Sequence, residues 1–370
     1  MFTTQVMPKA RPVRFATFNA SLFRPNAGQL TSELQVCEHP QLSQVAGIIQ
    51  RVNPDILLLQ EFDYAENQQN LTYFQENYLN HPQQPEGHPV FYPYRYAIPS
   101  NTGILSGLDL DGDGRLDSPH DAFGFGTFAG QYAFALLAKF PLQLDKMRSF
   151  QYFLWRDMPH AKLPKRADGT DYFNAAALDI MRLSSKNHVD IPVELPTGII
   201  HLLIAHPTPP IDDGVPQRNR CRNYDELRLW ADYLTDGEQA HYLYDDKGHR
   251  GGLSSREKFV LMGDMNADPF IGNSLRGAMT QLLRHPRMNP TCTLGIHVPK
   301  RPQLSLAVNA RVQRAQMQTS TWGLRVDYIL PSRSLWVQQS GIFAPVAPDT
   351  DAPLVTCSDH FLVWTDIKLT

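Results

Sequence analysis

Hydrophobic positions gather into short runs rich in Val, Ile, Leu, Phe and Tyr that recur along the whole chain, at residues 13–19, 55–60, 131–138, 173–181, 198–205, 258–262, 325–330 and 361–367. Runs of this length and composition predict β-strands. Helical periodicity replaces them at 41–52 and again at 223–234, where Leu227, Trp230, Ala231 and Leu234 recur at helical spacing. Strands and helices intermingle, so the fold class is α/β or α+β. No Gly/Ser linker, charge block or repeat divides the chain, and strand signals reach its last residues. A single domain over 1–370 is expected, with long loop insertions at 76–107, 145–172 and 241–257.

Composition changes this picture only by exclusion. Lys plus Arg (34) nearly balances Asp plus Glu (37), for a formal charge of −3, so the molecule as a whole exerts no pull on nucleic acid. A local patch or a bound cation would have to supply it. No stretch approaches the roughly 20 apolar residues of a membrane span. Residues 1–13 lack an apolar leader core, so no signal peptide is expected and the compartment stays open. Cys37, Cys221, Cys292 and Cys357 are far apart and form no Cys-x-x-Cys pair, which makes buried free thiols the default; disulfides stay open if the chain is exported. No protein partner is expected.

Chemistry enters where the apolar runs end. The first run delivers Asn19 and the second Glu61; 198–205 ends in His206; Gly263-Asp264-Met265-Asn266 follows the run at 258–262; Asp327 lies in 325–330; and Ser358-Asp359-His360 precedes the last strand. A rigid sheet can bring such residues to one point. Singly, each has a bland reading as a turn former, a helix cap or a satisfied histidine. Together they fit one task. Glu61 and Asp359 offer hard oxygen ligands to Mg²⁺ or Mn²⁺, and two histidines with two Asx residues remain for phosphate oxygens and an attacking water.

The ordered segments TFNAS, LLLQE, IAHPTPP, GDMNADP, LRVDYILPS and SDH resemble the signature segments of the endonuclease/exonuclease/phosphatase (deoxyribonuclease I-like) superfamily, from about Arg14 to the C-terminus. The resemblance implies a four-layer sandwich, two packed mixed β-sheets flanked by helices, and a divalent-metal-dependent phosphoesterase. It implies Glu61 as principal metal ligand with Asn19 beside it, Asp264 to orient and deprotonate the attacking water, and Asn266 as a hydrogen-bond donor to the phosphoryl centre. Asp359 would complete the metal site or act as a second-site ligand, and His360, held in its tautomer by Asp327, would stabilise phosphoryl oxygens. His206 would bind a non-bridging oxygen or protonate the leaving oxygen. A histidine there resembles deoxyribonuclease I-like and sphingomyelinase-like members, whereas members cleaving at abasic sites have tyrosine. In deoxyribonuclease I a glutamate partners this histidine; here Gln131 stands in that place, and a neutral partner should raise the His206 pKa less.

Asp109, Asp111 and Asp113 followed by Gly114 match the start of an EF-hand-type Ca²⁺ loop, but the twelfth position is His120, so Asp117 or Asp121 would have to close it. A solvated acidic turn is the alternative. Gly124, Gly126 and Gly130 do not make a nucleotide-binding loop. If 173–181 and 198–205 pair as neighbouring antiparallel strands, Arg182, Lys186 and His188 fall in the hairpin at the far end of the sheet. The insertion 145–172 and the loop 207–222 then flank the catalytic end. Lys162, Lys165, Arg166, Arg218, Arg220 and Arg222 become the candidates for reading a further phosphate, interleaved with Tyr152, Phe153, Trp155 and Tyr172. The expected partner is a phosphate ester, with nucleic acid favoured through the deoxyribonuclease-like histidine. The alternatives are a sphingomyelinase-like or inositol-phosphate-type phosphatase and, in another class, a catalytically silent Ca²⁺-dependent binding protein.

Overall fold

The computed structural model describes residues 11–369 except 86, 236 and 303–309, so most of the leading segment on which the signal-peptide expectation rests lies outside the described residues. The strands are β1 (Val13–Leu22), β2 (Ile56–Phe62), β3 (Tyr94–Ile98), β4 (Phe134–Ala138), β5 (Arg148–Ser149), β6 (His188–Leu195), β7 (Gly198–Ala205), β8 (Phe259–Asp264), β9 (Asp327–Pro331), β10 (Trp336–Phe343) and β11 (Leu362–Lys368). They form a six-stranded sheet in the order β10-β11-β1-β2-β4-β3 and a five-stranded sheet in the order β5-β6-β7-β8-β9. Both are mixed: β1 runs parallel to β2 but antiparallel to β11, and β7 runs parallel to β8 while β6 and β9 are antiparallel to their neighbours.

Three apolar layers follow from strand alternation. Val13, Phe15, Ile56 and Leu58 of the first sheet meet Val189, Ile191, Leu202, Ile204, Val260 and Met262 of the second. Odd and even positions separate cleanly: Ala16, Phe18, Leu57 and Leu59 face the other way, onto helices α1 (Gln29–Leu34), α2 (Pro40–Val52) and α3 (Gln69–Phe74). Leu203, Phe259 and Leu261 likewise pack under α5 (Arg218–Tyr233), beyond the short α4 (Ala175–Ile180). This is the expected helix–sheet–sheet–helix sandwich. Among the described residues, no helix is long and apolar enough to cross a membrane.

One strand expectation fails. Residues 173–181 contain α4 rather than a strand, and the antiparallel neighbour of β7 is β6, with His188 opposite Ala205 and Leu195 opposite Gly198. Asp190, Pro192 and Glu194 disguise β6 as a polar segment. Yet Val189, Ile191, Val193 and Leu195 alternate strictly and enter the core between the sheets, a period of two that was available in the sequence. Asp190 is satisfied by His201 Nδ1 at 2.7 Å and by the Tyr233 hydroxyl at 2.6 Å. Strand β3 lies inside the insertion expected at 76–107.

Candidate active site

The topology decides which strand ends meet. In a mixed sheet the C-terminal ends of one direction and the N-terminal ends of the other share an edge. Asn19, Glu61, His206 and Asp264 sit at C-terminal ends, and Asp327 and His360 at or before N-terminal ends of antiparallel neighbours. Parity then aims them. His206 continues the inter-sheet face of Leu202 and Ile204, Asp264 that of Val260 and Met262, and Asp327 that of Ile329. The polar site is thus the edge of the apolar core between the sheets.

Glu61 reaches the cleft by breaking that alternation. Strict pleating would turn it toward the helices with Leu57 and Leu59, but its φ is +57°, and Phe62 takes the helix-facing position instead. A left-handed glutamate at a strand end is costly backbone, the kind concentrated at functional sites. A register shift between Asn19 and Leu22, with Ser21 at φ +49°, similarly bends β1 at the cleft.

Asp264 is the hub. Its Oδ2 accepts from Asn19 Nδ2 at 3.2 Å and lies 3.4 Å from His206 Nε2 and 3.7 Å from His360 Nε2, while its Oδ1 accepts from the Asn266 amide at 2.8 Å. Burial works against its charge, but the two imidazoles and the amide outweigh burial and hold its pKa below the usual carboxylate range. His360 Nδ1 meets Asp327 Oδ2 at 2.9 Å, the pairing expected from the sequence. Although burial lowers the pKa of His360, Asp327 and Asp264 raise it well above the ordinary value, which favours the protonated ring. His206 goes the other way: burial, helped by the charge of Lys186, pushes it down to about 4, and its Nδ1 has no hydrogen-bond partner among the described residues.

A cavity of about 420 Å³ joins Glu61, Asp264, Asn266, Asp359 and His360. Asp359 is exposed at its mouth and accepts from Ser21 Oγ at 3.1 Å; Asn266 Nδ2 donates to the Pro207 carbonyl at 3.1 Å. Burial, with Asp264 adding to it, raises the Glu61 pKa despite Asn19 and His360. Carboxylates crowded in one concave site with an amide beside them fit a hard divalent cation, which would relieve that crowding. Asp264, Asp327 and His360 also offer atoms within 4.8 Å of one another, close enough to hold an ion.

Other sequence candidates are placed differently. Gln131 is engaged elsewhere: its side chain accepts from Thr127 and donates to the Arg24 carbonyl at 2.6 Å, while the His206 and Phe134 rings meet at 62° with centroids 6.2 Å apart. The buried Arg222 is tied to the carbonyls of Leu183, Phe123 and Arg182, which corrects its reading as a free phosphate reader. Lys165 pairs with Asp171, Arg166 covers Tyr172, Lys162 lies over Tyr224, and Arg220 pairs with Asp213. Arg218 lines a cavity beside Glu61, as Arg222 does, and stacks on Tyr172. Asp109, Asp111 and Asp113 come together, within 4.8 Å, while Asp117 pairs with Arg115 and Asp121 accepts from the Leu110 and Ser118 amides.

Two residues were missed. Lys186, expected at the far end of a hairpin, stands immediately before β6 and therefore at the catalytic end, 6% exposed and lining a cavity with Glu61. The misplaced strand caused the error, and the alternation of β6 would have corrected it. Trp322, half-exposed, sets its ring edge-on to His360 with centroids 4.8 Å apart; no sequence pattern marked it.

The model of the endonuclease/exonuclease/phosphatase family matches residues 16–360, and the chain belongs to that family. Its members are generally metal-dependent hydrolases of phosphoester bonds. No curated protein matches the chain in sequence. Among solved structures, an endonuclease/exonuclease/phosphatase from Beutenbergia cavernae DSM 12333 is similar with TM-score 0.49 and 14% identity, over 97% of this chain and 72% of that one. The human Nocturnin catalytic domain with bound sulfate is similar with TM-score 0.46 and 15% identity, over 97% and 94%. A beta toxin mutant from Staphylococcus aureus with bound magnesium ions gives TM-score 0.46 and 12% identity, over 96% and 99%.

Proposed function

We propose that this chain is one catalytic unit that hydrolyses a phosphate ester with a divalent cation, Mg²⁺ or Mn²⁺, held by Glu61 with Asn19 and Asp359. The carrying observation is the buried Asp264 carboxylate, with His206 Nε2 at 3.4 Å and His360 Nε2 at 3.7 Å, in the cavity that Glu61 and Asp359 also line. The cation would withdraw charge from the phosphoryl oxygens. Asp264 orients the attacking water and takes its proton as the new P–O bond forms. Because its pKa is low, it acts as a base only once that water has become acidic in the transition state. Asn266 donates to the phosphoryl group. His360, kept cationic by Asp327, stabilises the charge gathering on phosphorus and is the group able to give a proton to the departing alkoxide as the ester P–O bond breaks. Neutral His206 is the poorer acid, and its part is to hold Asp264. Protonated His360 is also a poor metal ligand, which favours Glu61 over the Asp264–Asp327–His360 group as the cation site.

The nucleic-acid preference draws little support from the basic loop residues, which apart from Arg218 are engaged with Asp171, Asp213, Tyr172, Tyr224 and backbone carbonyls. Turnover of bis-p-nitrophenyl phosphate tests the reading. It should require Mg²⁺ or Mn²⁺, and Glu61→Gln should raise the metal concentration needed. Absence of metal-dependent turnover would favour the silent binding protein instead.

A further inference from the structure

A second chamber of about 490 Å³ opens beside the cleft, and Glu61 and Ile211 belong to both. Lys186 and Arg218 are among its lining residues. The Lys186 amine is buried, which disfavours its charged form, but it lies close enough to Glu226, Glu61 and Asp264 for their charge to favour that form, and the Arg218 guanidinium stands 5.8 Å from the Tyr172 ring. Flat rings are among its lining residues, Tyr172, Tyr132 and the exposed Phe125 together with the buried Trp155 and Phe173. Trp155 and Phe173 cannot swing away, since both are buried and meet edge to face, and Trp155 Nε1 is anchored to Asp225 at 2.8 Å. Asp111, Asp212 and Asp213 stand among the lining residues as well, as does Arg222, which is tied to backbone carbonyls.

These features select by size, shape and charge. Ring walls favour a flat organic group through stacking. Lys186 and Arg218 can meet one or two negative charges, whereas a polyanion would carry many more past Asp111 and Asp212. A chamber of this size also holds one ring system with a sugar or short linker, not a duplex.

We infer that this chamber receives the organic group of the substrate, and that the substrate is a compact phosphate ester of a flat-ringed alcohol such as a nucleoside, with Lys186 at the junction meeting the phosphate and Tyr172 and Ile211 holding the ring. The inference rests on the phosphoesterase reading and narrows it to small substrates. Thymidine 5′-(p-nitrophenyl phosphate) is the probe, compared with supercoiled plasmid and phosphatidylcholine vesicles under Mn²⁺. The thymidine ester should be turned over fastest per phosphate, and Tyr172→Ala should raise its KM about tenfold, as the loss of one stacking contact does, with little change in kcat. Ile211→Ala, at an exposed position that does not endanger folding, should move KM in the same direction. Plasmid or vesicle cleavage at a comparable rate, or an unchanged KM in both variants, overturns the inference. A titration of tryptophan fluorescence with thymidine 5′-monophosphate needs no turnover and reads the chamber directly. Saturable binding weakened in Tyr172→Ala supports the inference even if catalysis fails, and no binding at millimolar nucleotide removes it even if other esters are hydrolysed.

Discussion

Asp264 and His360 carry opposite charges in a place that water hardly reaches, and each stabilises the ionisation of the other. Removing Asp264 leaves His360 its nearer partner Asp327, so the effect on the reaction should exceed the effect on the fold. Asp264→Asn is expected to lower kcat roughly 10²–10⁴-fold, the range for loss of a positioned base, with thermal unfolding largely unchanged. Asp327→Asn should act indirectly. By lowering the pKa of His360 it should move the alkaline limb of the pH–rate profile to lower pH, whereas a merely structural role for Asp327 would lower the rate without moving that limb. At this scale the sequence was informative. Polar residues ending apolar runs marked Asn19, Glu61, His206, Asp264, Asp327 and His360, and each lies at the common edge. The partners of those residues were less legible, because Gln131 and Trp322 depend on where loops fold over the strands rather than on strand period.

At the level of elements, the approach of β7 to β8 fixes Asp264 beside His206. Gly263 makes that approach possible: its φ is +149°, and a Cβ there would lie 2.0 Å from the Ala205 carbonyl oxygen. Gly263→Ala should therefore force the strands apart, costing on the order of 2–4 kcal/mol in stability. Because Asp264 is the next residue, kcat should fall as well; retention of wild-type Tm and turnover would show that the close contact does not position the carboxylate. The elements themselves were readable where one face or both faces are apolar, as in β2 and β7. They were obscured where buried polar side chains interrupt the run, as Asp190 and Pro192 do in β6. That one misread strand reversed the expected position of Lys186, which shows how a topology error becomes a site error.

For the whole molecule, the sandwich encloses imidazoles that it keeps neutral. His188 is fixed between Ser184 Oγ and the Glu226 carbonyl, each at 2.9 Å, and burial lowers its pKa from 6.5 to about 4. Between those two values the unfolded chain binds a proton that the folded protein excludes. The His188 contribution to stability is therefore complete above about pH 6.5 and is lost as pH falls toward 4, by up to roughly 1.4 kcal/mol per pH unit. His206 adds a loss of the same sign. His188→Gln should lower stability at neutral pH but make the acid slope of Tm shallower; an unchanged slope would mean that His188 does not stay neutral in the fold. The claim on which the whole account depends is that distant strand ends surround one cation and one phosphoryl group. Anomalous scattering from crystals soaked in Mn²⁺ and phosphate measures this directly. A manganese peak at Glu61 with phosphate beside Asn266 and His360 is the expected result, and manganese bound elsewhere, with no anion between Glu61 and His360, would contradict it.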